Sequence, residues 1–159
     1  MPAATLYLVV HLGRDRYAID SAVVEEVVPL VRLKALPGTP VGVAGIMNYR
    51  SEAVPVVDLN LLAFGTSTPA RLSTRIVVVR YEPDHASRSS SLLGLLVPFA
   101  TEMRRIEESE FVDAGVATDG ARYLGPVLTT PNGVIQRVVV GALLTPDLRD
   151  ALFRATARS

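Results

Sequence analysis

Valine in short runs constrains this chain more than any other feature. Val23-Val24, Val27-Val28, Val56-Val57, Val77-Val78-Val79 and Val138-Val139-Val140 recur along its 159 residues, punctuated by Gly, Pro and Asp. Branching at Cβ stiffens χ1 and suits a pleated surface better than a helix. Short β-forming runs between turn residues predict an all-β chain of many short strands. Strands are expected near Leu6–Leu12, Arg16–Ile19, Val24–Leu30, Gly42–Tyr49, Ala53–Val57, Arg75–Tyr81, Leu92–Val97, Glu102–Ile106, Tyr123–Thr130 and Val134–Val140. Tight hairpins are predicted around Gly13-Arg14 and at Thr130–Val134, where Asn132-Gly133 would supply the positive φ angles of a primed turn. Glu82–Ser91 reads as a longer polar hairpin loop. Ten short strands with little helix fit barrels or sandwiches better than a parallel sheet.

Helix is scarce and carries its own punctuation. Asp58 stands before Leu59–Phe64 and Gly65 after it, an N-cap carboxylate and a C-terminal glycine. Asp20 is placed to cap a single turn at Ser21–Val23. Thr145, Pro146 and Asp147 start a helix running to about Phe153, with Leu148 and Leu152 on one face. The polar stretch from Phe64 to Thr74 is the predicted crossing between two halves of the fold.

Charge and composition exclude several functions. Lys+Arg and Asp+Glu both total 16, so the formal net charge is zero. That argues against a nucleic-acid binder held by phosphate attraction and against a polybasic membrane-surface protein. The absence of cysteine removes disulfides, thiolate metal sites and Cys nucleophiles together. His11 and His85 are far apart and in no ligand spacing, so no metal or cofactor is expected. Mean hydropathy is +0.33, yet no stretch reaches the roughly 18 continuous apolar residues of a membrane span. Met1–Thr5 lacks a signal-peptide pattern, and a soluble cytoplasmic domain is expected. No GxxxxGK[ST], GxGxxG or GxSxG motif occurs. Glu25-Glu26 and Glu107-Glu108-Ser109-Glu110 read as solvated faces or turns, because neighbours on a strand point to opposite sides. A non-enzymatic role is expected.

The informative block runs from Tyr17-Ala18-Ile19-Asp20 through Val24-Glu25-Glu26-Val27 and Leu36-Pro37-Gly38. It continues with Gly45-Ile46-Met47-Asn48-Tyr49-Arg50-Ser51 and closes on Val54-Pro55-Val56-Val57-Asp58-Leu59. In order and spacing this resembles the CheW family, the adaptors that couple chemoreceptors to the histidine kinase CheA. Looser agreement extends over Thr74–Arg80, Leu93–Val97 and Tyr123–Gly125. One position departs: Ser51 stands where the family has glycine, and serine tolerates positive φ poorly, so a reshaped turn is expected.

The resemblance implies two SH3-like five-stranded β-barrels packed together, with a short C-terminal helix. Barrel one would be about 5–65 plus 137–155, and barrel two about 66–136. Pro55 lacks a backbone donor and predicts an edge or bulge for its strand. Asp58 is read as a helix cap, not a catalytic acid. By resemblance, Glu26 and Arg50 form a cross-strand pair, with bidentate geometry available to the guanidinium. Val24, Val27, Gly45 and Arg50 would line the groove that takes a chemoreceptor's cytoplasmic tip, a helix-in-groove contact. Val31, Leu33, Leu36 and Val41, with Val116 in the loop Asp113–Ala121, would meet the regulatory domain of a CheA-type kinase. The implied protein is a scaffold, monomeric alone and recruited to receptor arrays at the membrane without inserting. An adaptor of a non-swimming pathway (surface sensing or pili) and a small β-barrel ligand binder or enzyme remain the alternatives.

Overall fold

The computed structural model describes residues 4–82, 91–115 and 121–157. Among the described residues ten strands form: β1 Ala4–Leu12, β2 Asp15–Asp20, β3 Val24–Pro29, β4 Val43–Tyr49, β5 Glu52–Asp58, β6 Arg75–Tyr81, β7 Ser91–Val97, β8 Phe99–Glu107, β9 Leu124–Thr130 and β10 Gly133–Val138. Two α-helices, α1 Leu59–Phe64 and α2 Pro146–Ala157, accompany them. The strands make two five-stranded sheets, in the orders β8-β1-β2-β10-β9 and β3-β6-β7-β5-β4.

The valine runs are explained by burial on both faces. Val77, Val79 and Tyr81 point into a core shared between the sheets, whereas Ile76 and Val78 point into a separate core inside the second sheet. Leu93 and Leu95 against Leu96, and Val57 against Val56, divide the same way. A strand buried on both faces needs consecutive apolar residues, not alternating ones. In the first sheet, Leu8, Val10 and Leu12 join the shared core, while Tyr7 packs with Ile106 and Phe111 in a third cluster.

Each sheet is drawn round so that its two edges meet through a contact. Val112, just past β8, exchanges both backbone hydrogen bonds with Val127 of β9, each 2.8 Å. In the second sheet the edges β3 and β4 are linked by side chains described below.

The division into halves differs from the expectation. The second sheet takes every strand from Val24 to Val97, and the first takes those before and after. The chain therefore crosses at the 3-10 turn Ser21–Val23 and again at Pro98, not near residues 65 and 137. Phe64–Thr74 links α1 to β6 within one sheet. Two parallel pairings cause this, β2 with β10 and β5 with β7, because such partners are distant in sequence.

One turn, and the edge placement of Pro55, are also corrected, although the β4–β5 ladder does carry a bulge between Val43 and Gly45, next to the Ile46–Pro55 pair. The β9–β10 loop is Pro131-Asn132, since Thr130 pairs with Gly133. Proline locks φ near −65°, so a primed turn is barred there, and only Gly133 has positive φ (+119°). Pro55 lies in an interior strand, β5, paired with Ile46 of β4. It precedes the ladder to β7, which begins at Val56, and Ile46 spends its own N–H and C=O on Lys34. No ladder position asks Pro55 for a donor. Thr145 caps α2 through its hydroxyl, which accepts from the Leu148 N–H at 3.2 Å, and the helix continues past Phe153 to Ala157.

Candidate functional site

The corner where β3 meets β4 gathers most of the residues singled out in sequence. Asp20 accepts a hydrogen bond from the Ala22 N–H (2.9 Å) and so caps the turn that launches β3. The β3–β6 register then slips between Val24 and Glu26, a bulge at Glu25. Arg80 of β6 holds this bulge, with Nη1 2.5 Å from Glu25 Oε2 and Nη2 donating to the Ala22 carbonyl. The bulge separates the two glutamates: Glu25 serves Arg80, and Glu26 is left to face the other edge of the sheet.

Glu26 meets Tyr49 and Arg50 there. The Tyr49 hydroxyl donates to Glu26 Oε2 at 2.5 Å, and Arg50 Nη2 lies 3.4 Å from the same oxygen. The guanidinium carbon sits 5.2 Å above the Tyr49 ring. The Glu26–Arg50 pair is thus single-toothed where a bidentate pair was available, and Tyr49 holds the shared oxygen at shorter range. The hydrogen bond to Glu26, then burial, raises the Tyr49 phenol above its usual pKa. With the Arg50 side chain 68% exposed, water screens the ion pair and its contribution to stability is small. Tyr49 closes the sheet; Arg50 is the group left to face a partner.

The turn beyond Tyr49 keeps a tight two-residue form, with Tyr49 paired to Glu52. Arg50 and Ser51 have φ +48° and +69°, the only positive φ angles among described residues other than glycine. Both central residues at positive φ make this a type I′ turn. Serine, in the position where glycine would be expected, thus holds a positive φ itself. Asn48 Oδ1 accepts the Ser51 N–H (3.0 Å) and supports the turn from within.

The other predicted residues take distinct places. Val24 is half-buried against the shared core, and Val27 is 38% exposed on the free side of β3. Gly45 is buried in β4, where a side chain would run into the Lys34 carbonyl oxygen at 2.5 Å. Val31 and Val41 are exposed, Val41 at 82%. Leu33 is half-buried against the second sheet's core, and Leu36 is half-buried in the same connection. These four lie on the segment between β3 and β4, which is pinned to β4 by the Lys34–Ile46 bridge, both hydrogen bonds 2.8 Å. Val116 and His85 lie outside the described residues.

Asp58 caps α1 by accepting from the Leu61 N–H (3.1 Å), and it also accepts from the Thr68 N–H (2.8 Å) and hydroxyl (2.6 Å). Three donors on one buried carboxylate fix both the helix and the connection after it. Sequence reasoning missed Thr68, Tyr49 and Arg80. Only Tyr49, inside the Asn48-Tyr49-Arg50 motif, carried any signal.

Several other ionisable groups have structural partners. Glu110 accepts from the Glu107 N–H (2.7 Å), and Glu108 pairs with Arg137 (2.8 Å). His11 packs edge-on against Phe99, and burial followed by the Arg16 charge lowers its pKa. A cavity of about 620 Å³ opens between the sheets, lined by Tyr7, Asp20, Arg80, Glu82 and Arg137 among others. Among the described residues no three His, Asp or Glu side chains are grouped to hold a metal ion, and no helix is long and apolar enough to cross a membrane.

Comparison with known proteins gives concordant results. A family model for the CheW-like domain matches residues 6–146. "Chemotaxis protein CheW" of Treponema pallidum (strain Nichols) is 39% identical over 50 residues, a stretch covering 31% of this chain and 29% of that protein. The chain thus aligns with less than a third of that curated relative's length. The crystal structure of scaffolding protein TtCheW from Thermoanaerobacter tengcongensis matches with a TM-score of 0.72 at 26% identity, covering 87% of this chain and 84% of that one.

Proposed function

Because the chain belongs to the CheW-like domain family, we propose that it bridges a chemoreceptor's cytoplasmic tip and the regulatory domain of a CheA-type kinase, in the cytoplasm beneath a receptor array. It is a scaffold of the chemotaxis type and not an enzyme. The observation that carries the finer reading is the β3–β4 corner. Its carboxylate is engaged internally by Tyr49, while Arg50 projects on a strained, well-supported turn and Val27 lies exposed beside Glu26. An apolar strip with one fixed cation at its rim suits the side of a helical hairpin: burial supplies affinity and the charge sets register. On the other flank, Val31 and Val41 with Leu33 and Leu36 offer apolar surface to the kinase, and Val116 belongs to the same set.

The test is co-purification with a receptor cytoplasmic fragment and with the kinase regulatory domain, each separately. Arg50→Glu and Val27→Glu are expected to weaken receptor binding about tenfold or more, roughly 1.4 kcal/mol, without altering kinase binding or the thermal midpoint. Receptor binding that survives both changes sinks the assignment of this corner.

A further inference from the structure

The most exposed large apolar side chain described is Leu72, at 98%. It stands at the tip of the turn before β6, and that turn is not loose. The Thr74 side chain is buried, its hydroxyl donating to the Pro69 carbonyl (2.6 Å) and accepting from the Arg71 N–H (3.0 Å). Arg75 Nη1 donates to the carbonyls of Leu72 (2.6 Å) and Thr74 (2.9 Å). Upstream, Thr68 is clamped by Asp58. Both ends of the segment are tied down, and the leucine between them touches little but water.

Beside it lies an open cavity of about 800 Å³, lined by Pro29, Leu30, Ala70, Arg71 and Arg75 with Leu72 itself. The charged residues in its lining, Arg71 and Arg75, are both cations. No acidic residue occurs from 27 to 51 or from 59 to 81, spans that hold Arg32, Lys34, Arg71 and Arg75. Arg80 and Arg50 of the same spans are matched by Glu25 and Glu26. Arg71 and Arg75 give the rim of this cavity, on a chain of zero formal net charge, a local positive field.

From this arrangement we propose that the turn 69–75 is a preformed docking knob, in which Leu72 enters an apolar pocket rimmed by carboxylates on a protein partner. Ordering costs are already met by the Thr74 and Arg75 hydrogen bonds, and a pre-ordered anchor binds with less entropy to lose. A fully exposed leucine contributes almost nothing to folding, so its burial is available in full on association. Arg71 and Arg75 then select acidic surroundings and accelerate encounter at low salt. This inference rests on the proposed scaffold function, and it places the anchor of the kinase-facing flank on the 69–75 turn.

The experiment titrates the full chain against the kinase regulatory domain at low and moderate salt, by calorimetry, with sedimentation of the chain alone alongside. Leu72→Asp is expected to weaken binding at least tenfold with an unchanged thermal midpoint. Arg71→Glu should weaken it several-fold and flatten the salt dependence. Val134→Asp, an exposed valine on the other sheet, should behave as wild type. If the wild-type chain does not bind the domain, the scaffold reading fails and takes the knob with it. If wild type binds and Leu72→Asp binds equally well, the knob alone is wrong. If Leu72→Asp abolishes self-association while leaving kinase binding intact, the occupant is a second copy and the proposal is overturned.

Discussion

Ser51 shows how a single residue carries a cost for the sake of a turn. At φ +69° its Cβ crowds the backbone, a strain of about 1–2 kcal/mol that glycine avoids. Glycine gives back about 0.5–1 kcal/mol through its freer unfolded state. Ser51→Gly is therefore expected to stabilise the fold by about 0.5–1 kcal/mol, raising the thermal midpoint by about 1–4 °C in a domain of this size. An unchanged or lower midpoint in a melting experiment would mean that Ser51 does not hold the left-handed conformation. Sequence reasoning saw the conflict between serine and the turn but not what supports the turn. It could not weigh the Asn48 side chain, which accepts the Ser51 N–H, or the register that pairs Tyr49 with Glu52. The same blindness hid Tyr49. That Glu26 has a phenol nearer than its guanidinium depends on two sheet edges meeting, and no spacing along the chain reveals that.

Elements were more legible than contacts. All ten strands fall where the apolar runs and turn residues predict them, because propensity and turn chemistry are local. What escaped was their allocation to sheets, which the parallel pairs β2–β10 and β5–β7 decide at long range. Gly45 illustrates the consequence. Read by resemblance it belongs to a receptor groove, yet within β4 it also gives the Lys34 backbone room to bridge Ile46. A Cβ there meets a carbonyl oxygen at 2.5 Å, and φ is +147°. Backbone cannot swing aside as a side chain can. Gly45→Ala is thus expected to detach the 31–41 connection, lowering the thermal midpoint and speeding amide exchange at Lys34 and Ile46. Because that connection carries Val31 and Val41, kinase binding should weaken with it. If alanine changes receptor binding alone, with the midpoint and both amides unaffected, Gly45 acts only as a contact and not as a spacer.

The molecule as a whole is held by the core between its two sheets, and that core contains Tyr17, Tyr81 and Tyr123. Burial, with smaller contributions from Asp15 and Tyr123, pushes the Tyr17 phenol up to about 12. Burial raises Tyr123 as well, and it raises Tyr81 against the opposing pull of Arg149. The three shifts share a sign. A phenol whose folded pKa exceeds its unfolded value of about 10 is neutral in both states below that pH, and its packing is then fully retained. Above it, the unfolded chain releases protons that the folded chain still holds, so stability falls as pH rises from 10 toward 12. Ionisation of any one of them also puts a charge into the core that the two sheets share. We expect cooperative alkaline unfolding in that window, followed by tyrosinate absorbance and far-ultraviolet circular dichroism changing together. Tyr17→Phe should move the midpoint to higher pH by removing the most strongly shifted group. Gradual tyrosinate formation with intact circular dichroism up to pH 12 would show that these hydroxyls reach water without parting the sheets, and that the shared core is less decisive than its burial implies.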